Sequence, residues 1–315
     1  MTSTTLAPVL ITGATGGLGL RTALELASAG RTVVVGGRRA DAVDDVIDQI
    51  TSSGGSARPF VADLADLDTL RTAAEQLVVD LDGQPLGGIV ANAGLTLDRH
   101  QESVQGYELT FAVNVLAHQL LLGLLIPELA DGGRVVIVAS GVHDPDNKLA
   151  RRAGVPVPVW VGANDSAHPK RSERADLLAD TRLRYANSKL ANVLQARALQ
   201  HRLRQAGRSV DVFAVDPGLM VDTDFARSYP RPLRVILRAV GTAATPFVDN
   251  MRLSTTSARH LTRLVVDPAL AGTGFQYVDG DQSKPPSPDA QNDDLAESLF
   301  VDANQLVGLD ANQPV

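Results

Sequence analysis

Tyr185 and Lys189 are the side chains best suited to chemistry, four positions apart in the run Tyr185-Ala186-Asn187-Ser188-Lys189-Leu190-Ala191-Asn192. That run is expected to open a helix reaching about Leu203, and residues at i and i+4 share a helix face. In model peptides a tyrosine phenol titrates near 10 and a lysine ammonium near 10.4. Side by side, the cation stabilises the phenolate and lowers the phenol's pKa. The pair then becomes a proton donor and acceptor usable near neutral pH. Such spacing arises by chance in many helices, so the neighbours must give it meaning.

Ser140 is the next candidate. It ends the apolar run Arg134-Val135-Val136-Ile137-Val138-Ala139-Ser140, which reads as a strand. In open α/β sheets ligands bind beyond the carboxyl ends of the strands, and Asn92-Ala93-Gly94 follows another such strand, Gly88 to Ala91. Asn114 is a lone amide among Phe111, Val113, Val115 and Leu116 in a long apolar helix from Gly106 to Pro127. A buried amide needs partners, so Asn114 is either a satisfied structural amide or part of a site. His143 and His168 read as loop residues and receive no role.

The element that brings a ligand to these groups is Val9-Leu10-Ile11-Thr12-Gly13-Ala14-Thr15-Gly16-Gly17-Leu18-Gly19. A strand stops at a glycine-rich turn, and Leu20, Ala23, Leu24 and Ala27 then follow helical spacing. Gly13 allows the bend, Gly17 lets the backbone approach a pyrophosphate, and Gly19 lets the helix pack close. The helix N-terminus faces the anion. A second strand, Thr32 to Val35, ends in Gly36-Gly37-Arg38-Arg39. The acid that would bond the ribose hydroxyl of NAD is missing, and two arginines follow. A guanidinium fork suits a 2′-phosphate, so Arg38, aided by Arg39, selects NADP(H) over NAD(H).

The remaining elements must hold these groups together. Helical spacing runs over Asp41 to Ile50 and Leu67 to Leu81, with strands at Arg58 to Ala62 and Ser209 to Val215. A helix over Met251 to Val266, a strand over Gly274 to Val278 and a terminal helix over Leu295 to Leu306 complete the set. Strands alternating with helices predict one α/β domain over 1–315, a Rossmann-type doubly wound parallel sheet of about seven strands with helices on both faces. The stretch 141–184, rich in proline and carrying the single tryptophan Trp160, reads as a long loop or small subdomain shaping the substrate pocket. A second substrate-side segment spans 219–250.

The 315 residues are 44% hydrophobic and carry a formal net charge of −7. No basic block offers itself to nucleic acid. Without cysteine, disulfides and thiolate sites are excluded. No signal peptide is evident at Met1 to Ala7, and the apolar window Val113 to Ala130 is broken by Asn114, His118, Gln119, Pro127 and Glu128. It reads as a buried helix, not a membrane span. A soluble cytoplasmic protein is expected.

Thr12-Gly13…Gly17-Leu18-Gly19, Asp63-Leu64, Asn92-Ala93-Gly94, Asn114, Ser140, Tyr185-xxx-Lys189 and Pro217-Gly218…Thr223 occur in one order along most of the chain. Together they resemble the short-chain dehydrogenase/reductase family. Tyr185 to Asn192, Ser140 with His143, and Ser287-Pro288-Asp289 to Leu309 look most like its retinol dehydrogenase and protochlorophyllide reductase branch. The resemblance implies a seven-stranded sheet, a nicotinamide cofactor and a tetrad of Asn114, Ser140, Tyr185 and Lys189. It implies a cofactor site of Gly13, Thr15, Gly16, Gly17, Leu18, Gly19, Arg38, Arg39, Asp63, Leu64, Asn92, Ala93, Gly94, Tyr185, Lys189, Pro217, Gly218 and Thr223. The expected reaction interconverts a small-molecule carbonyl and its alcohol by hydride transfer. Tyr185 moves the proton, and Ser140 bonds the reacting oxygen. Lys189 lowers the tyrosine pKa and holds the ribose, while Asn114 positions a water linking Lys189 to solvent.

The glycines also fit TGxxGxxG through Gly16, the spacing of the extended, sugar-modifying branch. Ser140 and Tyr185 stand 45 positions apart, longer than the family's usual gap. The light-driven chlorophyll-pathway enzymes use cysteines, which this chain lacks. Two alternatives therefore stay in view: an NADP-sensing regulator without catalysis, and an extended-branch nucleotide-sugar epimerase or dehydratase. Relatives of this family pair through the helices at Asn114 and Tyr185, which admits a homodimer unless the insertion blocks it. Trp160, Leu219, Met220, Phe225 and the Val235 patch suggest an apolar pocket, whereas Arg227, Arg231 and Arg234 would suit an acidic substrate.

Overall fold

A computed structural model of the chain describes residues 6–170, 178–220 and 251–311. Its strands are β1 (Val9–Ile11), β2 (Thr32–Gly37), β3 (Ser56–Val61), β4 (Leu86–Ala91), β5 (Leu129–Val138), β6 (Asp211–Asp216), β7 (Leu219–Met220), β8 (Met251–Arg252), β9 (Gln276–Asp279) and β10 (Gln282–Ser283). Eight of them form one sheet in the order β10-β9-β6-β5-β4-β1-β2-β3. Seven run parallel, and the two-residue β10 adds an antiparallel edge to β9. The strand order reverses at β1 and β4, where an α/β sheet opens its ligand crevice.

Helices cover both faces: α1 (Gly17–Ser28), α2 (Ala40–Ser52), α3 (Leu67–Leu81), α4 (Leu109–Glu128), α5 (Lys148–Arg152), α6 (Ala163–Ala167), α7 (Leu178–Gln205), α8 (Ser254–Val266) and α9 (Asp293–Leu306). Side chains alternate across a strand, so each strand feeds two cores. Leu10, Val34, Ile89, Val135, Ile137, Val212 and Ala214 pack under α3, α4, α7 and α9. Val9, Ile11, Val33, Val35, Val90, Val136, Phe213 and Val215 pack under α1, α2 and α8. Burial on both faces explains why the strands read as unbroken apolar runs. Among the described residues α4 alone is long and apolar enough to cross a membrane, with a mean hydropathy of 1.9. In the structure it lies between the sheet and its neighbouring helices.

Three local readings change. The described part of α7 already runs from Leu178, so Tyr185 sits two turns inside the helix, not at its start. Leu178 to Arg184 are mostly good helix formers, hidden by the charged, proline-rich sequence before them. The insertion carries a short 3-10 turn at Gly141–His143 and the helices α5 and α6. It docks on the site helix: the Val159 N–H donates to Asn187 Oδ1 at 2.8 Å, and Trp160 packs against the core. The terminal helix starts at Asp293 because Asn292 caps it, its side chain accepting from the Asp294 and Leu295 N–H groups. Of the segment 219–250 only Leu219 and Met220 are described; they pair with β8. Thr223, Phe225, Arg227, Arg231, Arg234 and the Val235 patch lie outside the described residues.

Candidate active site

The glycine turn between β1 and α1 is built for close approach. Gly13 has φ +66°, where side chains are disfavoured, and a Cβ there would come within 3.0 Å of the Ala93 backbone. At Gly19 a Cβ would stand 2.2 Å from the Gly13 carbonyl oxygen, so only glycine lets α1 start here. At Gly16 and Gly17 it would meet nothing within 4 Å. No side chain caps α1, and no acid occupies its first turn. By contrast, Asp66 and Asn292 cap α3 and α9. Uncapped N–H groups beside two open glycines make a cradle that fits a pyrophosphate.

Buried hydrogen bonds tie this turn to the rest. Asn92 and Ala93 donate their backbone N–H groups to Thr12 Oγ1 at 3.0 and 2.9 Å, and Asn92 Nδ2 donates to the Thr12 carbonyl at 2.8 Å. With both lone pairs of Thr12 Oγ1 taken, its hydroxyl hydrogen goes to His118 Nε2, 3.0 Å away. His118 Nδ1 therefore carries the ring proton and donates to the Asn114 carbonyl at 3.2 Å. Burial pushes His118 down to about 4, which keeps this ring neutral.

Thr15 and Leu18 lie along the same turn, and a Cβ at Gly37 would strike the Thr15 methyl. The turn thus sits against the end of β2, where Arg38 and Arg39 begin. Arg39 is engaged by Asp41 through two hydrogen bonds of 2.9 and 2.7 Å. Arg38 is exposed and makes no ion pair among the described residues. The structure thus separates the two arginines. Asp63 accepts from the Ala65 N–H at 2.9 Å, and Leu64 packs on the core edge. Pro217 and Gly218 follow β6, where Gly218 has φ +82° and donates its N–H to Asp216 Oδ1 at 3.0 Å.

The four candidates for the tetrad converge beyond β4 and β5. Ser140 lies two residues past β5, close enough to the Tyr185 phenol to act on its titration. Lys189 Nζ lies 5.8 Å from the Tyr185 ring centroid. It donates to the Val138 carbonyl at 2.8 Å and to Asn192 Oδ1 at 3.2 Å. The Asn114 side chain clasps the backbone of Leu95: its Nδ2 donates to the Leu95 carbonyl, its Oδ1 accepts from the Leu95 N–H, and its Nδ2 also reaches Ser188 Oγ. A Cβ at Gly94 would lie 3.3 Å from Asn114 Oδ1 and 3.7 Å from Lys189 Nζ, which puts the Asn92-Ala93-Gly94 turn over both.

The electrostatics differ from the simple pair. Burial pushes the Tyr185 phenol up to about 12; Asp216 adds to the rise, and Ser140 opposes it. Burial pushes Lys189 down to about 8, with Asp216 working the other way. The cation sits under the ring, held by Val138 and Asn192, and desolvation outweighs any lowering of the phenol. Asp216, which reads in the sequence only as the end of a strand, is 2% exposed. His143 also matters: its Nδ1 bonds the Ser140 carbonyl at 2.8 Å, and its Nε2 meets the Ser287 N–H at 3.3 Å. Asn192 carried one sequence signal, its i+3 spacing from Lys189; Val138 lies 51 positions from Lys189, and Asn114 lies 74 positions from Ser188.

A family model described as short chain dehydrogenase matches residues 7–148. The polyprenol dehydrogenase of Mus musculus is 31% identical over 307 residues, spanning 95% of this chain and 83% of the relative. Retinol dehydrogenase 13 of Homo sapiens is 29% identical, spanning 96% and 85%. Among solved structures, an uncharacterized protein from Mycobacterium paratuberculosis superposes with a TM-score of 0.72 at 26% identity, covering 98% of this chain and 96% of that one. A blue fluorescent protein from a metagenomic library, in complex with NADPH, gives 0.60 at 25% identity over 88% and 97%. The chain belongs to the short-chain dehydrogenase/reductase family, in its retinol dehydrogenase-like branch. It is an oxidoreductase acting on CH–OH and C=O groups with a nicotinamide cofactor.

Proposed function

We propose that this enzyme interconverts an apolar carbonyl compound and its alcohol with NADP(H), using Ser140, Tyr185, Lys189 and Asn114. The observation that carries the proposal is the buried Lys189 ammonium 5.8 Å from the Tyr185 ring centroid, with Ser140 acting on the same phenol, at the carboxyl edge of the sheet. The bound nicotinamide supplies or takes the hydride. In reduction Tyr185 gives its proton to the substrate oxygen, and Ser140 bonds that oxygen as charge develops. A phenol held near 12 stays protonated at neutral pH, which suits the reductive direction. Lys189 keeps positive charge beneath the ring and would hold the cofactor ribose. Asn114 anchors the turn through Leu95. The glycine cradle would hold the pyrophosphate, and Arg38 the 2′-phosphate, with Arg39 held back by Asp41.

The apolar substrate class is supported by relatives whose names are those of polyprenol and retinol dehydrogenases, and by the exposed Leu219 and part-exposed Met220 beyond β6. A regulator that merely senses NADP would have no need of a buried ammonium beneath the Tyr185 ring. α9 covers the outward faces of α4 and α7, which favours a chain that acts singly over a homodimer paired there. Tyr185→Phe tests the proposal. Turnover of a carbonyl panel should fall by about 10²- to 10⁴-fold while NADPH affinity holds within a few-fold. Retained turnover removes the assignment.

A further inference from the structure

Asn192 stands between Lys189 and the main chain of α4. Its Nδ2 donates to the Asn114 carbonyl at 2.7 Å, while its Oδ1 accepts from Lys189 Nζ at 3.2 Å. Asn192 is 1% exposed, and its side-chain amide has a fixed sense, because an ammonium can only donate and a carbonyl can only accept. Asn114 lies in a π-turn, Ala112–Leu116. Its carbonyl receives two side-chain donors, Asn192 Nδ2 and His118 Nδ1. Those two bonds use both lone pairs of the oxygen. A water joining Lys189 to this carbonyl would have to displace one of them.

We propose that Asn192 is a positioning residue: a neutral amide clamp that fixes the Lys189 ammonium beneath the Tyr185 ring and closes the Asn114 side of the site to a water relay. The proposal rests on the Tyr185–Lys189 reading above. An amide linked this way holds charge in place but passes no net proton. Tyr185, which is only partly buried, would then exchange its proton on its open side. The ionisable groups acting on Lys189 are Asp216 from β6, His118 from α4 and Tyr185 on its own helix. The clamp adds no charge to them, so introducing one there is informative.

The test uses full-length wild type, Asn192→Asp and Asn192→Leu, with NADPH oxidation followed from pH 6 to 10 on one active carbonyl substrate. Thermal unfolding and NADPH fluorescence titration check that each variant folds and binds. A carboxylate in contact with the ammonium should move the basic limb of kcat upward by about one pH unit or more. Asn192→Leu should lower kcat about tenfold while KM for the carbonyl changes little, as expected when positioning alone is lost. If the leucine variant unfolds, Asn192→Ser is read instead, since its hydroxyl is too short to span both partners. Folded variants with wild-type kcat and an unmoved limb overturn the clamp. Absence of turnover in wild type, or its survival in Tyr185→Phe, would instead sink the parent reading.

Discussion

Raising the pH should move activity and stability in opposite directions, and Lys189 is the reason. Burial holds its ammonium near 8 against an ordinary 10.5. At about 1.4 kcal/mol per unit, that gap is roughly 3 kcal/mol of disfavoured charge in the folded chain. Between these two values the unfolded chain keeps its proton while the folded chain has lost it. The unfolded state binds more protons there, so stability rises with pH. Tyr185 and Tyr277 oppose this above their ordinary value of 10: both are raised by burial, so the folded chain keeps phenol protons that the unfolded chain has shed. The net gain is therefore confined to about pH 8 to 10. Reduction behaves the other way, because it needs the ammonium; its rate should fall about tenfold per unit above pH 8. NADPH absorbance assays beside urea unfolding, in half-unit steps, read both trends. Lys189→Met has no group to titrate and should lose the stability gain. A wild-type rate flat to pH 10, or a gain that persists in Lys189→Met, would refute the reasoning.

Three further outcomes are expected. Gly19→Ala drives a methyl into the Gly13 carbonyl at 2.2 Å and should cost about 1–3 kcal/mol, with weakened NADPH binding; an unchanged thermal midpoint and affinity would show that the turn gives way freely. Arg38→Asp should weaken NADPH by roughly 10- to 100-fold, the worth of a charge-assisted contact, while NADH changes little; an unchanged preference removes Arg38 as selector. Light scattering after size exclusion should give a single-chain mass, because α9 occupies the α4 and α7 faces through Gln119–Asn304, Arg197–Asp293 and Arg202–Glu297 contacts. Cross-links joining those faces between two copies would overturn this.

What the sequence determined alone is what local spacing encodes. A β-branched run buried on both faces, a glycine bend, and phenol and ammonium one helical turn apart each carry their own pattern within a dozen residues. α3 was legible to the residue because Asp66 caps it and the apolar period runs unbroken to Leu81. The turns of α7 before Tyr185 were not, because prolines and charges upstream masked a helix whose apolar partner, α9, lies about a hundred positions away. Only tertiary structure set the electrostatics. Tyr185 stays a protonated phenol and the Lys189 charge is disfavoured because packing removes water from both, beside Asp216. Likewise Asn114 meets Asn192 and Thr12 meets His118 across 78 and 106 positions. Such contacts depend on how helices settle on a sheet, and packing of that range leaves no period in the chain to read.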